Sequence, residues 1–87
     1  MGQANVDHIA RHHVTPQEAE ETIRNEPFDV NYEVIDGEER WTVLGHTHAV
    51  RVLILVWTMR GDAIRVITAR EASPKATAAY LRARGML

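Results

Sequence analysis

Hydrophobic residues follow a helical spacing at both ends of the chain and an alternating spacing between them. Asn5 is suited to cap a short first helix, and "TPQEAEETIR" predicts a second one. In this second helix Thr15 is the N-cap, the proline after it takes the first helical position, and Glu18 completes a capping box. The helix should end near Asn25, because Pro27 disfavours helical geometry at the residue before it.

From Phe28 onward apolar and polar residues alternate, which predicts four β-strands joined by short turns at "DGEE", "GHTHA" and "MRGD". The third strand, "VRVLILVWT", is apolar on both faces, as expected of a central strand. Ser73 and Pro74 then begin a last helix that should close at Gly85. We therefore predict an α+β fold with two N-terminal helices, a four-stranded antiparallel meander sheet and one C-terminal helix, the helices packing on one side of the sheet.

Length and composition limit the class of protein. At 87 residues the chain should form a single domain, residues 1–87. The absence of cysteine excludes disulfides, thiol nucleophiles and zinc–thiolate sites. The longest apolar run, Val52 to Trp57, is far shorter than the roughly 20 residues of a membrane helix, and the N-terminus lacks the apolar stretch of a signal peptide. We expect a cytoplasmic protein with no membrane partner.

Charge is divided unequally along the chain, although the net charge is only −2. Residues 1–40 carry ten acidic side chains against three arginines, whereas residues 41–87 carry seven basic side chains against two acidic ones. Three of the arginines fall at 60, 65 and 70, in one strand and at its two ends. The C-terminal half is therefore able to attract phosphate groups.

Three segments carry a family pattern: "HIARHHVTPQEAEETI", "EERWTVLGHT" and "VRVLILVWTMRGDAIRVITAREAS". They resemble the BrnT-type toxins of bacterial toxin–antitoxin pairs. The most specific part is a strand ending T-x-R-G followed by I-R-[IV]-I-[ST]-A-R, which the chain matches from Thr58 to Arg70. Tyr80 matches the family's terminal tyrosine, so the resemblance spans roughly residues 8 to 80.

The resemblance implies a RelE-like fold and a metal-independent endoribonuclease, without cofactors, that cleaves RNA and so inhibits translation. It also implies neutralisation by a cognate antitoxin of the BrnA type. Because that antitoxin supplies the DNA-binding element, DNA would be contacted only through it.

Three features depart from the family pattern. "MGQANVD" does not match the F-x-W-D-like strand that usually precedes the first helix, and His13 replaces a glycine. "SPKATAAY" has alanine and threonine where the family's last helix is rich in charge. The charge-poor helix favours an alternative hypothesis, a catalytically weak or inactive module that binds a protein partner. An exposed sheet edge in place of the first strand would also allow a homodimer.

RNA cleavage of this kind requires a deprotonated 2′-hydroxyl, a stabilised pentavalent phosphate and a protonated leaving oxygen. Arginine suits the second requirement, because its charged planar fork pairs with phosphate oxygens. Arg65, in mid-strand, is the best candidate, and Arg70 is the second. Five residues apart, the two should face opposite sides of the sheet unless a bulge intervenes. Further expected RNA-binding residues are Arg51, Arg60, Lys75 and Tyr80, of which Tyr80 should also anchor the last helix to the sheet.

The general base has several candidates. Glu39 matches an acidic position of the family and is suited either to accept a proton or to orient an arginine. His46 or His48, in the turn after the second strand, is a further candidate, because histidine is the side chain best suited to acid–base work near neutral pH. A purely structural alternative is a cross-strand ion pair between Arg65 and Glu39.

Two other patterns have both a functional and a structural explanation. His8 and His12 have the i, i+4 spacing of a metal site, which leaves a metal-binding regulator as a third hypothesis, although no carboxylate completes a recognisable ligand pattern. Trp41 and Trp57 are able to stack on bases, but they fit better as inward-facing residues of a small core.

Overall fold

The computed structural model of the protein describes residues 13–87, which form one antiparallel sheet with two helices. The elements are α1 (Pro16–Arg24), β1 (Phe28–Ile35), β2 (Glu38–His46), β3 (Val52–Arg60), β4 (Ala63–Glu71) and α2 (Pro74–Ala83). The strands are ordered β1-β2-β3-β4, and each consecutive pair is antiparallel. The predicted meander and C-terminal helix are confirmed. Of the two predicted N-terminal helices, the second is α1, and the first, from Asn5, lies outside the described residues.

Helix α1 begins and ends where its flanking residues require. The Thr15 hydroxyl accepts a hydrogen bond from the Glu18 N–H at 3.0 Å, and the Glu18 carboxylate accepts one from the Thr15 N–H at 3.0 Å. This is the predicted capping box, with proline in the first turn. At the other end Asn25 caps the helix, and Glu26, which precedes Pro27, has a φ of 51°. The chain therefore leaves the helical conformation at the predicted place.

One face of the sheet, which we call the α1 face, packs against α1 and the residues before it. The buried cluster there consists of Val14, Ala19, Val43, Leu53, Leu55, Val66 and Ala69. The helix and its following loop come very close to β2 at Gly45. A Cβ atom at this position would lie 2.8 Å from both Pro27 Cβ and Thr22 Cγ2, so only glycine fits without a shift of the backbone.

Helix α2 packs on the opposite face of the sheet, so the prediction that the helices share one side is wrong. Its cluster consists of Val52, Ala72 and Tyr80, with Leu44, Ile54, Ala76 and Leu81 packed around them. The physical reason lies in β3, where Leu53 and Leu55 point to the α1 face while Val52 and Ile54 point to the other. A strand that is apolar on both faces requires a cover on each side.

Both helices are short, with nine residues in α1 and ten in α2. Within residues 13–87, no helix is long and apolar enough to cross a membrane.

Candidate functional site

A β-bulge in β4 places Arg65 and Arg70 on the same face of the sheet. Arg65 lies opposite Thr58 of β3 and Arg70 opposite Ile54, and these two partners are four residues apart, so their side chains point the same way. The register shifts between them, leaving Ile67 without a partner on β3. The bulge thus fulfils the condition under which two arginines five residues apart can act on one surface.

Two more arginines lie on this surface. Arg60 follows Thr58 by two residues on β3 and is exposed. Arg40 of β2 lies two residues from Thr42, whose β3 partner also points to this side. We call the surface the arginine face and define it by Arg40, Arg60, Arg65 and Arg70. It is the face opposite α1, and α2 covers only one end of it.

The backbone positions on the arginine face set the reach of its guanidinium groups. At about 3.3 Å per residue, the four-residue offset between their β3 partners separates Arg65 and Arg70 by about 13 Å along the strand direction. This distance exceeds the width of one phosphate group. The two side chains are therefore arranged to contact different phosphates of one backbone.

The start of α2 extends this cationic surface. Ser73 caps the helix by accepting a hydrogen bond from the Ala76 N–H, and Lys75 is exposed in the first turn. A depression of about 350 Å³ next to the cap is lined by Ile54, Arg70, Glu71 and Ser73. In the described part of the chain neither Arg70 nor Lys75 forms an ion pair, so both charges are available to a ligand.

Tyr80 is a packing residue. It is only 2% exposed, its ring lies 5.2 Å from that of Phe28, and the guanidinium of Arg84 lies 5.4 Å from the Tyr80 ring centroid. This agrees with the expected anchoring of the last helix to the sheet. A ring so well covered offers no surface for stacking on a base, so the geometry does not support direct RNA contact by Tyr80.

The Tyr80 hydroxyl lies 2.7 Å from Nδ1 of His46, on the end of the arginine face that α2 covers. The pKa of His46 is lowered, first because burial disfavours the charged imidazolium, and then because Arg84 and His48 repel it. With Nδ1 engaged, Nε2 is the ring nitrogen left to exchange a proton with a ligand. His48 instead lies beside α1, where its N–H donates to Glu21 at 3.0 Å.

Glu39 lies on the α1 face, away from Arg65. Its carboxylate accepts a hydrogen bond of 2.7 Å from the hydroxyl of Tyr32, whose ring packs 5.5 Å from that of Trp41. Arg65 precedes Val66, which is buried on the α1 face, so strand alternation turns Arg65 to the other side. The two side chains therefore point to opposite faces, which supports neither the structural alternative of an ion pair between Arg65 and Glu39 nor a role for Glu39 as a base beside Arg65.

Arg40 is the site residue that sequence reasoning missed. On the arginine face its Nε donates to the Glu38 carboxylate at 2.9 Å, and Glu33 lies directly opposite it on β1. The signal was present in the "EER" motif, where residues 38 and 40 share one face and residue 39 takes the other. The acidic groups of the arginine face are thus Glu33 and Glu38.

Arg51 links α1 to the strands. Its Nη1 lies 3.1 Å from the Glu18 carboxylate and donates to the carbonyl of His13 at 2.8 Å, and its Nη2 lies 3.6 Å from Glu71. The backbone N–H of Thr15 lowers the pKa of Glu18 most, with Arg51 contributing further. Arg51 therefore serves the fold, although a quarter of its side chain remains exposed.

The remaining candidates belong to packing or lie outside the described residues. Trp41 and Trp57 stack with ring centroids 4.5 Å apart on the α1 face and are half-buried. The metal-site candidates His8 and His12 lie outside residues 13–87. Among the residues that the structure does describe, no group of three histidine, aspartate or glutamate side chains is arranged to hold a metal ion.

The structure thus defines a small α+β protein with a cationic sheet face. Residues 3–76 match the sequence profile of a family described as "Ribonuclease toxin, BrnT, of type II toxin-antitoxin system". This match covers most of the chain, including all four residues of the arginine face and Lys75. The chain therefore belongs to the BrnT family of ribonuclease toxins from type II toxin–antitoxin systems. Comparison with curated proteins found no match.

Proposed function

We propose that the protein is an endoribonuclease that cleaves RNA and thereby inhibits translation, with the arginine face holding the RNA backbone. The observation that supports this most is the shared orientation of Arg65 and Arg70 across the Ile67 bulge. Guanidinium groups remain charged at all relevant pH values and pair bidentately with phosphate oxygens. We assign Arg65 to the scissile phosphate and Arg70, with Lys75, to a neighbouring one. Arg60 is exposed at the end of β3 and extends the surface along which the RNA backbone would lie.

The proposed reaction transfers a phosphoryl group within the RNA, from the 5′-oxygen of one nucleotide to the 2′-oxygen of the one before it. The 2′-oxygen loses its proton to a base, attacks the adjacent phosphorus, and the bond to the 5′-oxygen breaks as that oxygen takes up a proton. The products are a 2′,3′-cyclic phosphate and a free 5′-hydroxyl. Negative charge grows on the non-bridging oxygens in the transition state, where the Arg65 fork stabilises it. Because guanidinium supplies the positive charge, the proposed mechanism is metal-independent.

His46 lies at the Arg70 end of the arginine face: its β3 partner Val52 is two residues from Ile54, the partner of Arg70, but six residues, about 20 Å, from Thr58, the partner of Arg65. His46 is therefore placed to exchange a proton beside Arg70 and not at a phosphate held by Arg65.

His46 shares the arginine face, whereas Glu39 and His48 lie on the side of α1. A lowered pKa keeps its imidazole neutral at physiological pH and thus able to accept a proton. The Tyr80 hydroxyl holds the ring at Nδ1, and Nε2 accepts a proton in the tautomer whose Nδ1–H donates to that hydroxyl.

The family implies an antitoxin partner, and we propose that this partner is of the BrnA type and supplies any contact with DNA. The acidic surface of α1 is exposed, and a basic segment of the partner would complement its charge. Glu20 is exposed there, and in the acidic half of the chain, residues 1–40, ten carboxylates stand against three arginines.

A second function remains supported by one specific observation. The first turns of α2 carry Ala76, Thr77, Ala78 and Ala79, so Lys75 is the lone cation in that stretch. A catalytically weak module that binds a protein partner would have little need of a charged helix. It predicts no growth arrest and no effect of arginine substitutions.

Induced expression in bacteria separates the two functions. The endoribonuclease predicts growth arrest that Arg65→Ala and Arg70→Ala each relieve, while the folded state, measured by circular dichroism, is retained. Arg24→Ala is the matched control, because Arg24 is exposed on α1, away from the arginine face, and pairs with Glu20 at 2.7 Å. Arrest that persists in both arginine-face variants would remove the arginine face from the mechanism.

A further inference from the structure

Strand β1 forms an exposed edge of the sheet. All eight of its residues are exposed, and within residues 13–87 its ladder partner is β2 alone. Val30, Tyr32 and Val34 are 59%, 52% and 56% exposed, which is unusual for three apolar side chains within five residues. The outer edge of such a strand presents unpaired backbone N–H and C=O groups that can accept another strand.

The two edges of the sheet differ in protection. The β4 edge carries a bulge at Ile67 and the arginines 65 and 70, which are the devices that natural sheets use to prevent edge pairing. In β1 the register shift falls at Val30, and the stretch Asn31–Ile35 pairs regularly with β2. That stretch contains neither proline nor a basic residue.

The sequence of β1 is nearly symmetric about Tyr32. It reads Val30, Asn31, Tyr32, Glu33, Val34, so apolar and polar positions repeat in reverse order on either side of the tyrosine. A strand that pairs with its own copy about a two-fold axis requires this kind of symmetry, because each residue meets its mirror position. Pairing with a strand of unrelated sequence would not require this symmetry.

Charge favours the register centred on Tyr32 over the neighbouring one centred on Glu33. Centred on Tyr32, the pairing sets tyrosine against tyrosine and Glu33 against Asn31, while Val30, at the register shift, lies outside the regular pairing. Centred on Glu33, it would oppose two carboxylates, which is destabilising. A two-fold axis placed between two residues would oppose a side chain on one face of the sheet to a side chain on the other face. Directly opposed residues of an antiparallel pair point to the same face, so this register is excluded.

We propose that two copies of this chain pair antiparallel through β1, in the register centred on Tyr32, and form a continuous eight-stranded sheet. The arginine faces of the two copies then lie on the same side of that sheet, since the two-fold axis is perpendicular to it. One strand from each copy buries less area than the about 1,600 Å² of a typical stable complex, so the dimer should be reversible and dependent on concentration. The inference does not depend on RNA cleavage.

The absence of cysteine makes the register directly testable in the full-length protein. Under mild oxidation, purified Tyr32→Cys should form a disulfide-linked dimer, because opposed residues of an antiparallel pair have Cα atoms about 4.5–5.5 Å apart. The matched control is Val34→Cys, on the same strand and of similar exposure. Its two copies would sit about 13 Å apart along the strands and should not cross-link. A mixture of Asn31→Cys and Glu33→Cys should cross-link more than either alone.

Sedimentation equilibrium tests the association without cross-links. The apparent mass should rise with concentration from 9.9 kDa toward twice that value, and Tyr32→Lys should remain monomeric while its circular dichroism is unchanged. A monomer at every concentration, or a Val34→Cys dimer as abundant as that of Tyr32→Cys, would overturn the proposal. So would a β1 edge that becomes protected only in the presence of another protein.

Discussion

Arg65 and Arg70 point to the same side of the sheet because Ile67, between them, has no partner on β3. One extra residue in β4 reverses the alternation of side chains between these two positions. A regular strand would have sent one guanidinium toward α1, where Val66 and Ala69 are buried. The bulge thereby converts a strand with scattered arginines into a surface that can follow a phosphate backbone.

Binding to single-stranded RNA should weaken when either arginine is removed. Arg65→Ala and Arg70→Ala should each lower affinity by about 10- to 100-fold, since a hydrogen bond to a charged group contributes about 1.5–3 kcal/mol. Each should also reduce the slope of log affinity against log salt by about 0.7, because one fewer phosphate is neutralised. Fluorescence anisotropy at several salt concentrations measures both quantities. Arg24→Ala should leave affinity and slope unchanged, and an equal loss in that control would contradict a specific role for the arginine face.

Most of the fold was predictable because it rests on local signals. Thr15 and Glu18 make a capping box whose spacing can be identified in the sequence, and Ser73 followed by Pro74 marks the start of α2 in the same way. The side on which each helix packs was not predictable from such signals. It depends on which face of β3 each helix covers, and that strand is apolar on both.

The site was harder to predict because it depends on strand register. The sequence gives the alternation of side chains along a strand but not the position of a bulge. Whether Arg65 and Arg70 share a face depends on such a bulge, so it could not be predicted. The placement of Glu39 was in principle available from alternation within "EER", which gives Glu39 the face of Trp41. What the motif could not give is the partner of Glu39, the hydroxyl of Tyr32, which comes from another strand.

Arg51→Ala should destabilise the protein. The substitution removes the ion pair with Glu18 and the hydrogen bond to the carbonyl of His13, and it leaves both acceptors without that donor. We expect a loss of about 1–3 kcal/mol in the free energy of unfolding, measured by urea denaturation. Arg24→Ala breaks an exposed pair and should cost less than about 1 kcal/mol. Equal stability of the two variants would contradict the structural role of Arg51.

Gly45→Ala should destabilise the packing of α1 on β2. The added methyl group would lie 2.8 Å from Thr22 Cγ2 and from Pro27 Cβ, so the helix or its loop must shift. Overpacking of this kind costs about 1–3 kcal/mol, which thermal or urea denaturation resolves. Gly37→Asn is the control, since no atom lies within 4 Å of a Cβ there and asparagine tolerates the left-handed backbone. A stability unaffected by Gly45→Ala would show that the approach is looser than described.

His46 should make stability fall as the solution becomes acidic. Its pKa in the folded protein is lowered, chiefly by burial, so the unfolded chain binds the proton more readily. Neutral His46 therefore makes its full contribution to the free energy of unfolding above the unperturbed pKa of about 6.5. This contribution is lost as the pH falls through the lower pKa of the folded protein. His46→Gln should flatten the fall in unfolding free energy between about pH 7 and about pH 5.5, whereas His48→Gln should retain it. A pH dependence as steep in His46→Gln as in the natural protein would contradict this assignment.

Cleavage of a labelled single-stranded RNA by the purified protein, in the presence of a metal chelator, tests the central claim most directly. We expect fragments that end in a 2′,3′-cyclic phosphate and begin with a 5′-hydroxyl. Arg65→Ala should reduce the rate about 100-fold or more, as loss of a group that stabilises transition-state charge does, while Arg24→Ala should cleave at the original rate. Cleavage that continues undiminished in both Arg65→Ala and Arg70→Ala, or that stops when the chelator is added, would contradict a mechanism carried by the arginine face.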